Sequence, residues 1–171
     1  MISPFEATLL GVLYSRPGSR YDVMKVIQNQ SLYWAGSPGA VYSALARLAD
    51  KGMVEKVELG EPTIYRTTHS GFGAFQGFVR TPVQAEKLVM EPALLRLKLR
   101  GLVFLSPEDR VEFYQAQLQE LENAVEMVEM RRGLNSKLQI SQDLSDLAIA
   151  QLALESDLIK KLLAQDLGEL S

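Results

Sequence analysis

The feature that most constrains the fold is the order of segments in residues 1–67, where three short amphipathic runs precede two β-like runs. Each amphipathic run opens with a helix-start signal, at Ser3-Pro4, Ser19 and Ser37-Pro38. A serine side chain at such a position accepts a hydrogen bond from a backbone N–H of the first turn, and proline fits the first helical residue. The β-like runs follow at residues 53–58 and 63–67. We therefore expect three helices and then a β-hairpin.

Three short helices followed by a hairpin form the outline of a winged helix-turn-helix, in which the third helix enters the major groove of DNA. In the third run Val41, Leu45 and Leu48 form the inward stripe, and Tyr42 and Arg47 lie on its flanks. The projection turns four residues outward: Gly39, Ser43, Ala46 and Asp50. Small outward residues let a helix approach DNA closely, but they also suit a packing surface. The pattern alone leaves both readings open.

Charge and composition change near Thr81-Pro82, which we take as a domain boundary. Residues 1–80 hold eight basic and six acidic residues, whereas residues 81–171 hold ten basic and fifteen acidic residues. The net charge of −3 therefore averages a basic first part and an acidic second part. We expect a winged-helix domain over residues 1–80 and an α-helical dimerisation domain over residues 81–171, in a mainly α protein with one small β-hairpin.

The second part reads as helical, with an apolar and basic segment over residues 91–104 and a helix start at Ser106-Pro107. An apolar seam follows at alternating steps of three and four residues: Val111, Tyr114, Leu118, Leu121, Val125 and Val128. The last predicted helix, residues 142–167, carries apolar residues spread too widely for one contact, Leu154 and Leu158 among them. Such patterns are typical of helices that pack against more than one neighbour. We expect the seam, Leu154 and Leu158 to form a homodimer interface.

Several function classes lack their sequence signals. The chain has no cysteine, which excludes disulfides and thiol catalysis, and His69 is its only histidine. There is no nucleophile–base pairing, phosphate-binding loop or metal-ligand spacing, so we expect neither enzymatic activity nor a cofactor. No apolar run reaches the ~18–20 residues of a membrane span, and the first residues lack the pattern of a signal peptide. We expect a cytoplasmic protein with no membrane partner.

Ordered motifs cover residues 4–79. They are Leu9-Leu10-Gly11-Val12-Leu13, Gly18-Ser19-Arg20-Tyr21-Asp22-Val23, Trp34-Ala35-Gly36-Ser37-Pro38-Gly39-Ala40-Val41-Tyr42-Ser43-Ala44-Leu45-Ala46-Arg47-Leu48, Lys51-Gly52-Met53-Val54 and Tyr65-Arg66-Thr67-Thr68-His69-Ser70-Gly71. In this order they resemble the PadR family of bacterial transcriptional regulators, and the third motif resembles that family's recognition helix. The remainder resembles, by length, helix order and the segment at residues 91–105, the helical C-terminal domain of longer members, which include virulence-gene activators.

The resemblance implies a homodimer, held largely by its C-terminal helices, whose paired winged helices read a palindromic operator. Together with the projection it implies these DNA-binding residues: Tyr21, Ser37, Gly39, Tyr42, Ser43, Arg47, Thr63 and Arg66. Family wings commonly carry several basic residues before the tyrosine, whereas residues 60–64 are one residue shorter and carry none. We therefore expect a weak backbone contact from the wing, with Arg66 as its remaining cation.

Alternatives remain for individual residues. Tyr21 also fits a buried position, and Tyr42 also fits packing on the wing. Arg47 also fits a salt bridge within the domain, with Asp50 or Glu55 as partner. Trp34 is expected in the core or at the domain junction.

The leading expectation is a homodimeric, sequence-specific transcriptional regulator, a repressor, with double-stranded DNA as partner. The two recognition helices must then lie about 34 Å apart or a multiple of it, and a small-molecule effector that alters helix packing would release DNA. The alternative is a winged-helix interaction module, or an activator, with weak or lost DNA binding.

Overall fold

The computed structural model describes residues 2–30, 37–57, 62–134 and 139–170. The chain divides into two compact units, residues 1–79 and residues 80–171. This division falls close to the change in charge and composition that the sequence shows near Thr81. Trp34 and the tip of the wing, residues 58–61, lie outside the described residues.

Unit 1 is a winged helix-turn-helix built in the predicted order. Its elements are α1 (Pro4–Ser15), β1 (Gly18–Ser19), α2 (Arg20–Gln30), α3 (Pro38–Asp50), β2 (Val54–Val57), β3 (Ile64–Thr67) and α4 (His69–Arg80), the last of which ends at the boundary. The hairpin β2–β3 is extended by the two-residue strand β1, which the sequence pattern does not predict. In the antiparallel sheet Gly18 pairs with Tyr65 and Val54 pairs with Thr67, which gives the strand order β1-β3-β2.

The helix starts of unit 1 use side-chain caps. Ser3 and Glu6 form a capping box, with the Ser3 N–H donating to Glu6 Oε2 at 2.9 Å and the Glu6 N–H donating to Ser3 Oγ at 3.2 Å. Ser19 and Asp22 make the corresponding pair of bonds at the start of α2. At the other end of α3, Gly52 adopts a φ of 66°, which a residue without a Cβ reaches at little cost. The predicted helix starts are confirmed.

The core of unit 1 fixes the orientation of α3. Buried apolar side chains from five elements meet there: Leu9, Leu10, Leu13, Val23, Ile27, Val41, Leu45, Leu48, Tyr65 and Phe75. Thr67 Oγ1 adds a buried hydrogen bond of 2.8 Å to the Leu10 carbonyl, which joins β3 to α1. Because Val41, Leu45 and Leu48 are each at most 1% exposed, rotation of α3 about its axis would expose its apolar stripe.

Unit 2 is entirely helical within its described residues. Its elements are α5 (Ala85–Met90), α6 (Ala93–Gly101), a 3₁₀ turn (Leu102–Phe104), α7 (Pro107–Leu134) and α8 (Gln139–Glu169). The short helix α5 is not predicted from the sequence. The start of α7 is as predicted, with Ser106 Oγ accepting from the Asp109 N–H at 3.2 Å. Helix α7 ends at Leu134, and α8 begins at Gln139.

The two long helices α7 and α8 pack together in antiparallel fashion. Arg110 near the start of α7 forms two hydrogen bonds to Asp166 near the end of α8, at 2.7 and 2.9 Å. Arg132 near the end of α7 pairs with Asp146 near the start of α8, at 2.8 Å. Gln117 of α7 also bonds both backbone groups of Val83, which fixes the segment that leads into α5.

Candidate nucleic-acid interface

The outward face of α3 carries the residues that the projection predicts. Ser37 caps the helix, with its Oγ accepting from the Ala40 N–H at 3.3 Å, and its side chain is exposed. Gly39, Ser43, Ala46 and Asp50 are likewise exposed, whereas Val41, Ala44, Leu45 and Leu48 are buried. The surface of this helix is therefore made of small side chains at its N-terminal half, where a groove-binding helix makes its base contacts.

Tyr21 and Tyr42 both reach solvent. Tyr21, the second residue of α2, is 64% exposed, and Tyr42 on the flank of α3 is 45% exposed. The alternative reading of Tyr21 as a buried tyrosine is therefore wrong.

Arg47 is held by an ion pair within unit 1. Its Nε donates to Glu6 Oε1 at 3.2 Å, and Lys51 Nζ lies 3.8 Å from the same oxygen. The sequence alternatives for its partner were Asp50 and Glu55, but the carboxylate comes from α1, 41 positions away. Glu6 itself is only 5% exposed. About half of the Arg47 side chain is therefore exposed to solvent, while its positive charge is paired with the buried Glu6 carboxylate.

Arg66 is the cation of the wing that the sequence predicts to contact the DNA backbone. Arg66 donates from Nε and from a terminal nitrogen to Glu55 Oε1 on the neighbouring strand, at 2.9 and 2.6 Å. Thr63 is exposed just before β3. The cation predicted to remain available on the wing is therefore paired with a carboxylate.

Arg20 is the residue of this surface that sequence reasoning missed. Its guanidinium carbon lies 5.0 Å from the ring centre of Tyr42 and 5.5 Å from that of Tyr65. Its Nε donates to the Tyr65 hydroxyl at 2.9 Å. A signal was present in the sequence, since a cation in the first turn of a helix opposes the helix dipole and needs another reason to be there.

The ion pair of Glu6 predicts a pH dependence of stability. The Ser3 backbone N–H first, and then Arg47 and Lys51, hold the pKa of Glu6 below its ordinary value of 4.5. A carboxyl group whose pKa is lower in the folded state stabilises the fold above its unfolded pKa, and this contribution is lost as the pH falls through the folded value. We expect Glu6→Gln to lower the free energy of unfolding at pH 7 by about 1–2 kcal/mol.

The measurement is urea unfolding of the wild type and of Glu6→Gln between pH 7 and pH 3. The two proteins should converge in stability as the pH drops below about 4.5, because protonated Glu6 no longer forms the ion pair. Asp22, whose pKa is also lowered, contributes acid sensitivity equally to both proteins and cancels in the difference. A stability difference that stays constant over this range would contradict the assignment.

The seam predicted on α7 is largely covered by its own chain. Tyr114, Leu121 and Val128 are at most 6% exposed, because α5 and α8 pack on α7. The expectation that these three residues contact a second copy is therefore corrected, since their neighbours belong to the same unit. Val111, Leu118 and Val125 remain half-buried. The periodicity identified an apolar stripe correctly but not the helix that covers it.

The last helix instead carries an exposed apolar stripe, which we call the α8 seam. It consists of Ile140, Leu144, Leu147, Gln151, Leu154 and Leu158, spaced alternately by four and three residues. Leu154 is 72% exposed and Leu147 is 64% exposed. A second stripe of α8, which includes Leu152 and Ile159, is buried within unit 2.

Neither a metal-binding group nor a membrane-spanning helix is found among the described residues. Among them, no three His, Asp or Glu side chains come together in a group that could hold a metal ion. None of the helices in the described ranges is both long and apolar enough to cross a bilayer.

No protein-family model matches the sequence, and neither does any curated protein. Solved structures do match over nearly the whole chain. The PadR-like transcriptional regulator BC1756 from Bacillus cereus shares 18% identity over 96% of this chain and 98% of its own, with a TM-score of 0.42. Bacillus subtilis PadR in complex with operator DNA shares 18% over 95% and 98%, also with a TM-score of 0.42.

A third match is the virulence activator AphA from Vibrio cholerae, with 15% identity over 97% of this chain and 99% of its own and a TM-score of 0.42. The matching structures therefore include PadR-like transcriptional regulators, the family that the motifs of residues 4–79 resemble.

Proposed function

We propose that this chain is a DNA-binding transcriptional regulator of the PadR type that acts as a homodimer on a palindromic operator. Helix α3 is the recognition helix, and Ser37, Gly39 and Ser43 lie at the DNA surface. Tyr21 and Tyr42 flank this surface, and Thr63 and Arg66 of the wing lie beside the backbone. Occupancy of the operator represses the adjacent gene.

Gly39 is the observation that carries the DNA-binding proposal. Gly39 is the second residue of α3 and leaves the outward side of the helix backbone uncovered, since an added Cβ would meet only Ser37 Oγ, at 3.9 Å. A partner can therefore approach the backbone of α3 closely at this point, and the major groove of DNA is such a partner. Ser43, one turn further along the same exposed face, offers a hydroxyl that can donate or accept.

The α8 seam supports the homodimer. Apolar side chains at alternating steps of four and three form the contact stripe of paired helices, and here they face solvent in the single chain. Gln151 is the one polar member of the seam, with Ile140, Leu144 and Leu147 before it and Leu154 and Leu158 after it. A single polar residue in such a seam fixes the register.

The groove between α7 and α8 supports the proposal of a small-molecule effector. It has a volume of about 400 Å³ and is lined by Leu121, Val125 and Leu152 together with charged side chains that include Glu122 and Lys160. This volume lies within the usual range for ligand sites. A ligand that separates the two helices would alter the dimer and with it the spacing of the two α3 helices.

A gel-shift experiment with the DNA upstream of the protein's own gene, at 50 and 200 mM salt, tests the proposal. We expect a specific shift that survives competition by unrelated DNA at the lower salt. Ser43→Glu places a negative charge on the outward face of α3 and should weaken the shift by about 100-fold or more, because it removes a base contact and repels phosphate. Ser70→Glu, an exposed serine of α4, is the matched control and should leave the shift unchanged.

A protein-binding module of the same fold is the second candidate. One observation favours it: Arg47 and Arg66, the two cations that the sequence assigned to DNA, are both paired with carboxylates. The absence of a specific wild-type shift at both salt concentrations would favour this candidate and contradict our proposal.

A further inference from the structure

We propose that Arg20 binds a backbone phosphate of the operator. The inference rests on the proposed function and adds a residue that neither the sequence motifs nor the α3 projection assigns to DNA.

The position of Arg20 is fixed from two sides. Tyr65 of β3 is only 1% exposed, and its hydroxyl accepts from Arg20 Nε at 2.9 Å. Tyr42 on the flank of α3 lies under the guanidinium, 5.0 Å from ring centre to guanidinium carbon. The distances of the guanidinium carbon from the ring centres, 5.0 Å for Tyr42 and 5.5 Å for Tyr65, lie within the range at which an aromatic ring attracts a cation. The side chain is thereby tied to the sheet and to the recognition helix at once, while the residue as a whole remains exposed.

Arg20 differs from the neighbouring cations because its positive charge is not paired with a carboxylate of the described residues. Arg47 and Lys51 share the Glu6 carboxylate, and Arg66 pairs with Glu55. Among the described residues, no salt bridge links Arg20 to a carboxylate. The nearest acidic residue in sequence, Asp22, is engaged by the backbone N–H and the hydroxyl of Ser19. Aromatic faces orient a cation without neutralising it, so the full positive charge of Arg20 is directed to solvent beside α3.

The chemistry of the guanidinium identifies the ligand class. Arginine carries five N–H donors in a planar fork, and the bond to Tyr65 uses the single N–H of Nε. The two terminal nitrogens remain as a pair whose geometry matches two oxygens of a phosphate. A phosphate contact of this kind positions the protein on the duplex and carries no sequence information.

The test compares wild type, Arg20→Gln and Arg20→Lys by gel shift against the operator and against unrelated DNA, over 50 to 200 mM salt. We expect Arg20→Gln to weaken binding to both DNAs by about 10- to 100-fold. The slope of log affinity against log salt should fall in magnitude by about two, because the dimer loses one phosphate contact from each protomer. Arg20→Lys should keep the wild-type slope but lose affinity, since ammonium keeps the charge without the fork.

Lys25→Gln is the matched control, because it removes one positive charge from the same helix on the side that faces Arg16 and Pro17. It should change the slope by less than one. The slope also separates a DNA contact from a structural role, since damage to the fold lowers the active fraction without changing the number of counterions released.

The outcomes separate this inference from the proposed function. If wild type binds its operator and Arg20→Gln binds with the same affinity and slope, the Arg20 assignment is overturned and the proposed function stands. If wild type gives no shift at 50 mM salt, the proposed function fails and this inference fails with it.

Replacing Tyr42 by leucine should reduce affinity more than Tyr42→Phe does, because phenylalanine keeps the ring beneath Arg20. Equal losses would overturn the orienting role of that ring.

Discussion

Leu154→Glu is expected to convert the dimer into a monomer at micromolar concentration. Leu154 is 72% exposed in the single chain, so the change leaves the packing of unit 2 intact. In the proposed dimer the Leu154 side chain of each protomer is buried, and the burial of each contributes about 1.5–3 kcal/mol to association. Two glutamates at the centre of the interface also repel each other. We expect the dissociation constant to rise by about 100- to 10,000-fold, measured by sedimentation equilibrium.

Val103→Glu provides the matched control. Val103 is 73% exposed in the same unit, almost the same fraction as Leu154, but it lies outside the α8 seam. It should remain a dimer with the wild-type dissociation constant. A wild-type protein that sediments as a monomer at micromolar concentration, or a dimer unaffected by Leu154→Glu, would contradict the role of the α8 seam.

Gly71→Ala is expected to destabilise unit 1 by about 3 kcal/mol or more. An added Cβ at this position would overlap the backbone carbonyl oxygen of Met53 and lie 3.0 Å from Thr67 Cγ2. The Met53 oxygen already accepts from the Thr68 N–H at 3.0 Å, so the backbone cannot retreat without breaking that bond. The thermal transition of this unit should fall by roughly 12–24 °C or more, because a domain of this size shifts by about 4–8 °C per kcal/mol.

Gly73→Ala, two residues later in the same helix, separates this packing effect from helix propensity. An added Cβ at Gly73 meets nothing within 4 Å. Alanine there should leave the stability unchanged or raise it by about 0.5–1 kcal/mol, because it restricts the unfolded chain and favours the helix. If both alanine variants unfold at the same temperature, the close approach of α4 to Met53 does not limit the stability of unit 1.

The sequence predicts the scaffold of unit 1 well because its signals are local. Ser3, Ser19 and Ser37 each act within three residues of their own position, and Gly52 terminates α3 through its own backbone. The outward face of α3 follows from the period of one helix and the burial of Val41 and its neighbours. The strand β1 was missed because two residues carry no periodicity of their own.

The charges of the candidate site were not predictable in the same way, because they depend on contacts between distant segments. Arg47 meets a carboxylate 41 positions away, and Arg20 meets a hydroxyl 45 positions away. Neither pairing follows from spacing along one element. Arg66 and Glu55 form a cross-strand pair whose register depends on the hairpin turn. The sequence therefore located the surface but did not show how its cations are paired.

The exposure of the apolar stripes of unit 2 was likewise not predictable from the sequence. The seam on α7 and the apolar residues of α8 have comparable periodicity, and periodicity does not reveal which stripe the chain covers by itself. The fold buries Tyr114, Leu121 and Val128 and leaves the α8 seam exposed. Of the dimerisation residues expected from the sequence, Leu154 and Leu158 are the ones with large exposed apolar surface.

Selection of bound fragments from random-sequence DNA by the wild-type protein tests the central claim most directly. It measures binding, symmetry and half-site spacing together. The account predicts enrichment of one palindromic sequence whose half-sites lie about 34 Å apart, or a multiple of that distance, centre to centre. Enrichment of no sequence over the starting library, or of a single half-site without its inverted copy, would contradict a dimeric operator-binding protein.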